Sequence, residues 1–186
     1  MLNHRGTELI ETERLILRRF NLEDTEDMYN NWANDDEVTK HLSWTIHESI
    51  DVSTKIIESW VRSYDNNETY NWAIELKEIG EVIGSIGIVG LDSIYEQCSI
   101  GYCISKSFWG KGITTEAFIG LIEFLFKKVG FERIQAYHHI DNPASGRVMI
   151  KAGLKYEGRL RNYRKKLNGT YVDCDFYGII KSDLED

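Results

Sequence analysis

Hydrophobic positions along this chain keep two rhythms, short strand-like runs and a three-to-four-residue spacing that marks helices. Residues 15–19 predict a strand. Residues 22–34 predict a helix whose first turn carries Glu23, Asp24, Glu26 and Asp27, favourably placed against the helix dipole. Residues 48–64 predict a second helix, with Ile50, Ile57, Trp60, Val61 and Tyr64 along its apolar side. Strands follow at residues 70–76 and 82–89, with a turn near Gly80, and again at residues 98–104. Residues 113–128 predict a long helix, because Phe118, Leu121, Ile122, Leu125 and Phe126 recur at helical spacing. Another strand is expected at residues 133–139, then a short helix at 144–152 closed by Gly153. Residues 156–163 and 171–180 read as a hairpin around Asn168-Gly169. Strands and helices interleaved in this way predict an α/β (α+β) fold around one sheet.

Length and charge narrow the picture further. The 186 residues predict one domain spanning 1–186, large enough to bury about two-thirds of its unfolded surface. A single proline leaves no room for a proline-rich linker. The net charge of −8 argues against a nucleic-acid partner, which calls for a basic stripe, and fits an amine or basic peptide better. Cys98, Cys103 and Cys174 form no metal-binding or disulfide pattern. Cys98 and Cys103 stand an odd number of positions apart, so on one strand they face opposite sides. Residues 1–6 lack the apolar core of a signal peptide and no apolar run reaches membrane-spanning length, so a cytoplasmic protein without a membrane partner is expected.

The most informative passage is Trp109-Gly110-Lys111-Gly112-Ile113-Thr114-Thr115-Glu116-Ala117, lying between a predicted strand and a predicted helix. Two glycines let a backbone approach a ligand closely, and the unpaired amides and positive dipole of a new helix face an anion. This arrangement suits a pyrophosphate. The passage lacks the Walker A order, since no Ser or Thr follows Lys111, and it lacks the third glycine of the dinucleotide fingerprint. An ordinary glycine turn capping a helix is the competing explanation for these residues taken alone.

The passage resembles the acetyl-CoA loop of the GCN5-related N-acetyltransferase (GNAT) family, in the form seen in its RimJ/RimL-like branch. Further likenesses follow in order: Glu13-Arg14-Leu15-Ile16-Leu17-Arg18, Ile100-Gly101-Tyr102, Asn142-Pro143-Ala144-Ser145, Gly153-Leu154-Lys155-Tyr156-Glu157-Gly158, and Asn168-Gly169 with Asp173 and Tyr177. Together they cover residues 12–181. The resemblance implies a mixed, mostly antiparallel sheet with flanking helices and a split that holds the cofactor's pantetheine arm. It implies acetyl-CoA as cofactor and transfer of its acetyl group, within a ternary complex, to a primary amine. The acceptor implied is an N-terminal α-amine, the peptide N-terminus of a protein such as a ribosomal protein. An acetyltransferase for a polyamine, amino acid or aminoglycoside-like amine stays open, as does an acyl-CoA-binding protein with little turnover. A homodimer is common in that family.

The resemblance also places residues. Trp109, Gly110, Lys111, Gly112, Ile113, Thr114 and Thr115 would cradle the pyrophosphate. Backbone from Tyr102, Cys103 and Ile104 would supply the oxyanion contact. Ser145 would give the leaving thiolate its proton, with Asn142 binding pantetheine or orienting Ser145, and Tyr177 is a second candidate acid. Each has a simpler explanation: Ser145 as a helix cap, Asn142 as an Asx turn, Tyr177 as a core tyrosine. Ser107 and Ser99 depart from the family pattern, and Ser99 stands where many relatives have Glu. The stretch 161–166 lacks the carboxylate that some relatives carry before the hairpin. Asp92, Glu96, Glu157 and Asp173 remain as bases, as does relay through water. Trp32, Trp44 and Trp60, with Asp35, Asp36 and Glu37, fall where an acceptor groove is expected. The run Arg159, Arg161, Arg164, Lys165 and Lys166 reads as a solvated hairpin edge or a contact to the 3′-phosphate. His138 and His139 are adjacent on a strand, so at most one lines a site, and no metal is expected.

Overall fold

The computed structural model describes residues 1–184. Its strands are β1 (Ile10–Glu11), β2 (Leu15–Arg18), β3 (Asn71–Leu76), β4 (Glu81–Asp92), β5 (Gln97–Ile104), β6 (Arg133–His139), β7 (Lys155–Lys165) and β8 (Tyr171–Ile180). They form one eight-stranded sheet in the order β1-β2-β3-β4-β5-β6-β8-β7. Every neighbouring pair is antiparallel except β5 and β6. The helices are α1 (Thr25–Met28), α2 (Asp36–Thr39), α3 (Ile50–Ser63), α4 (Ile113–Phe124) and α5 (Pro143–Lys151).

The β5–β6 pair positions the site. A parallel connection needs a crossover, and α4 provides it. The two strands stay in register only at Gln97 with Arg133, Cys98 with Ile134 and Ser99 with Gln135. At the last pair the Gln135 side-chain amide donates to Ser99 Oγ at 2.9 Å. Beyond this vertex β5 runs on to Ile104 and β6 to His139 without pairing to each other, so the sheet opens into a V.

Each face of the sheet has its own core. On one face Ile113, Ala117, Phe118, Leu121 and Leu125 pack with Ile100, Ile134 and Met149. On the other, Phe20, Met28, Trp32, Ile57 and Tyr64 pack with Ala73 and Val82. Cys98 belongs to the first core and Cys103 packs against the second, as their odd spacing requires. Burial pushes both thiols above their usual pKa.

Helix boundaries differ from expectation in physically readable ways. The segment expected as one helix over 22–34 winds unevenly: a 3-10 turn at Leu22–Asp24, then α1, then a wide π turn at Tyr29–Ala33. Asn21 and Asp24 form a capping box, and the Asp24 carboxylate also takes a two-pronged bond from Arg18 at 2.8 Å. The wide turn sets Trp32 and Ala33 fully inside the second core. The long helix likewise changes to a π turn at Leu125–Val129 and ends at Gly130, whose φ of 93° suits glycine. Among the described residues no helix is long and apolar enough to cross a membrane.

Candidate active site

Backbone geometry fixes the glycine loop between β5 and α4. Ser105 N donates to Ile83 O at 2.8 Å, holding the end of β5 against β4. The Trp109 indole then donates to Ile104 O at 3.0 Å, folding the loop over the strand end. Gly110 and Gly112 adopt φ of 74° and 76°, a region that side chains disfavour. A Cβ on Gly110 would meet nothing within 4 Å, so conformation rather than crowding asks for glycine there, and the space above it is open. Gly112 is the N-cap of α4 and offers no side chain to the first turn. The first backbone bond of the helix runs from Glu116 N to Gly112 O at 3.0 Å, leaving the preceding amides free for an anion. These features fit a pyrophosphate. Thr114 is buried, Thr115 is half-buried, and the Lys111 ammonium lies 5.1 Å above the Phe108 ring.

A brace beneath the loop was not evident from the sequence. Glu116 accepts from Thr12 Oγ1 at 2.6 Å, from Arg14 N at 2.7 Å and from Arg14 Nε at 2.6 Å. The same guanidinium donates to Lys111 O at 3.0 Å. Burial pushes the Glu116 carboxyl upward, but these bonds outweigh it and leave its pKa below the ordinary value.

The split joins residues from distant parts of the chain. Because Ser105 N faces β4, strand alternation turns the backbone of Cys103 and Gly101 toward β4 as well. Tyr102 and Ile104 therefore present their backbone groups to the split. Cys103, expected with them, is turned away, and its Sγ lies 3.3 Å from Ser85 Oγ. The Tyr102 hydroxyl lies 2.7 Å from Ser145 Oγ and also donates to Ser145 O at 3.1 Å. Burial raises the Tyr102 phenol far above its usual pKa, so it stays protonated.

Helix α5 corrects one expectation. Its N-cap is Asn142, whose side chain accepts from Ser145 N at 3.4 Å, and Pro143 occupies the first turn. Ser145 is therefore not the cap, and its hydroxyl is available to Tyr102. Gly146 lets the helix sit close on the sheet, since a Cβ there would come within 2.5 Å of His138 Nε2. Tyr177 stacks on His138 with centroids 5.6 Å apart, on β8, one strand beyond β6. The hydroxyl that meets Ser145 is Tyr102's, which the sequence had singled out for its backbone alone.

The candidate carboxylate bases all hold structural partners. Glu96 pairs with the N-terminal ammonium at 2.5 Å, Asp92 accepts from the Ile94 and Tyr95 amides, Glu157 pairs with Arg133, and Asp173 accepts from Asn162 N at 2.9 Å. Much of the basic run is engaged on the hairpin: Arg159 with Asp175, Lys166 with Asp141, and Arg164 over the Tyr137 ring. His138 and His139 do face opposite sides, but His139 is not isolated from other ligand-type side chains. His41 and Asp141 gather beside it. No local pattern announces His41, because the loop after α2 and the end of β6 meet only through the tertiary fold.

A parted sheet beside an uncapped helix N-terminus defines a class of group-transfer proteins that hold a pyrophosphate-bearing cofactor. Residues 14–155 match the family model described as acetyltransferase (GNAT) domain. The chain is 34% identical to the uncharacterized N-acetyltransferase YoaA of Bacillus subtilis, over 93% of this chain and 97% of that protein. It is 30% identical to the ribosomal-protein-serine acetyltransferase of Escherichia coli, over 54% of this chain and 55% of that one. The microcin C7 self immunity acetyltransferase MccE, solved with acetyl-CoA and AMP, shares the fold with a TM-score of 0.80 at 25% identity, covering 91% of this chain and 93% of that one. The chain belongs to the GNAT family and is an acetyl-CoA-dependent N-acetyltransferase.

Proposed function

We propose that the acceptor is the α-amine of a protein N-terminus, with ribosomal proteins as the first class to test. The observation that carries this reading is the vertex of the split, where Gln135 is bonded to a serine, Ser99, rather than to a carboxylate. An amine must be neutral to attack. A free α-amine has a pKa of about 7.7–8.0, so roughly a third of it is neutral near pH 7.5 without help, whereas a lysine-type amine near 10.4 is almost wholly protonated. An enzyme with an unassisted vertex therefore favours the α-amine. The exposed Asp36 and Glu37 of α2 add an acidic surface suited to a positively charged peptide, and the relative named for ribosomal-protein serine acetylation agrees with it.

Acetyl-CoA supplies the activated acetyl thioester. The chain's part begins with the free amides of Ile113, Thr114 and Thr115, which we assign to the pyrophosphate, with Lys111 beside them. Asn142 holds the first turn of α5 and so sets the position of Ser145. The Tyr102 N–H, turned into the split, is the donor for the carbonyl oxygen where negative charge grows. As the C–N bond forms and the C–S bond breaks, Ser145 Oγ–H gives its proton to the departing sulfur and regains one, through water, from the nitrogen that has been acylated, while the Tyr102 phenol, held protonated, lies against that hydroxyl.

Turnover on a panel of N-terminal peptides, lysine side-chain peptides, polyamines and aminoglycosides tests the acceptor, read by thiol release. Peptides with free N-termini should react fastest, and blocking that terminus should abolish the reaction. Faster turnover on polyamines or aminoglycosides at neutral pH would overturn the α-amine reading.

A further inference from the structure

We propose that His41, His139 and Asp141 form a binding site for a divalent transition metal, Zn2+ foremost, joining the loop after α2 to the end of β6. One donor atom from each of the three lies within 4.8 Å of the other two. His41 Nδ1 and His139 Nδ1 are both buried without a hydrogen-bond partner. His41 Nδ1 lies 3.4 Å from Asp141 Oδ1, yet it makes no hydrogen bond to it. Buried polar atoms in folded proteins are paired in roughly nine cases of ten, so two orphaned imidazole nitrogens converging beside one carboxylate call for a ligand that accepts lone pairs. A metal ion takes both nitrogen lone pairs and the carboxylate at once, whereas a water that donates to the two nitrogens has no third O–H for the carboxylate.

The chemistry of the set selects the ion. Two imidazoles and one carboxylate with an open fourth position match the three-ligand zinc pattern. Side-chain rotations on the order of 1 Å bring the donors to the roughly 2 Å distances that zinc requires. Asp141 is 44% exposed, which leaves an entry path from solvent. Lys40, Lys166 and Arg164 face these histidines and oppose a cation, while Glu37 and Asp141 favour one. Mg2+ and Ca2+, which take oxygen ligands, are disfavoured by the two imidazole nitrogens, and nitrogen-seeking ions are favoured. Lys166 occupies Asp141 Oδ2 at 2.5 Å and leaves Oδ1 turned toward His41. The site stands on its own side chains and does not depend on the identity of the acceptor amine.

The test uses the full chain, freed of metal by chelation and then titrated with Zn2+ against a chromophoric chelator. One equivalent should bind with a submicromolar Kd, and Mg2+ or Ca2+ at millimolar concentration should not compete. His41→Ala and His139→Ala should each weaken Zn2+ binding at least tenfold and remove the zinc-induced rise in Tm. Asp141→Asn keeps the side chain's shape and should weaken binding as well. Lys166→Met should strengthen it several-fold by removing the competing cation, a response that adventitious binding to surface histidines does not give. No binding at 100 µM Zn2+ by a folded chain, or unchanged affinity in the His41→Ala, His139→Ala double variant, would overturn the site. Loss of acetyl transfer in the histidine variants of a chain that binds no zinc would also overturn it, and would assign the pair to proton transfer instead.

Discussion

Arg14 donates to Glu116 Oε2 at 2.6 Å and, through the same guanidinium, to Lys111 O at 3.0 Å. One side chain thus ties the approach to β2, the glycine loop and the first turn of α4 into a single unit. Arg14→Ala leaves Glu116 without its guanidinium partner and frees the loop carbonyl. Acetyl-CoA binding should weaken about tenfold, corresponding to the ~1.4 kcal/mol of one charge-assisted bond, with little change in turnover at saturation. Calorimetric titration with acetyl-CoA checks this, and an unchanged Kd would show that the brace does not order the loop.

Ser145→Ala removes the proposed proton donor while leaving the Asn142 cap in place. The expected loss in kcat is on the order of a hundredfold, with KM for acetyl-CoA nearly unaltered. Tyr102→Phe removes the supporting phenol and should cost about tenfold. Steady-state kinetics with matched thermal melts separate these effects from loss of fold, which the cap explanation for Ser145 had predicted.

Gly146→Ala probes how closely α5 sits on the sheet. The added methyl meets His138 Nε2 at 2.5 Å and the Tyr177 hydroxyl at 3.1 Å, so the helix must shift outward. A loss of about 1–3 kcal/mol in stability is expected from overpacking. Since Ser145 is the preceding residue, kcat should fall as well. Denaturant melts and kinetics on the same preparation read both outcomes.

Acidification should destabilise the protein before its carboxylates titrate. Burial depresses the pKa of His47, whose Nδ1 lies 2.8 Å from Ser53 Oγ, and of His41 and His139. Above the unfolded value, about 6.5, both states are neutral and these groups contribute no pH dependence. Below it the unfolded chain takes up protons that the folded chain refuses, so stability falls with pH until the depressed folded values are passed. Tm should drop between pH 7 and pH 5.5, and His47→Gln should flatten that slope. A slope identical to wild type would remove His47 from the account.

Local rhythm made much of the fold readable. The strand, glycine turn and helix around Gly110 and Gly112 are encoded within a dozen residues, and they stand in the structure where the sequence put them. Features that depend on distant partners were not readable. The two-residue β1 and the four-residue α2 are too short for a period to show, although Asp35 capping the Glu37 amide at 2.8 Å gives α2 a local signal after the fact. The Tyr102 and Ser145 hydroxyls meet only because β5 and α5 flank the same opening. His41 meets His139 across the second face of the sheet, a contact that topology creates and no motif announces. The uneven winding at Tyr29–Ala33 likewise answers to the seating of Trp32, not to helix propensity.

The three residue pairs that join β5 to β6 have a mechanical consequence. A sheet is stiff where its ladder is continuous, and here the ladder stops partway along, so its two halves are sutured at one end and bridged elsewhere by helix packing. Backbone donors and acceptors on the facing edges, from Ile100 onward on one side and Ala136 onward on the other, are left without a neighbouring strand. An extended guest with its own amides would complete the weave. The enzyme is built as a cloth with one thread missing.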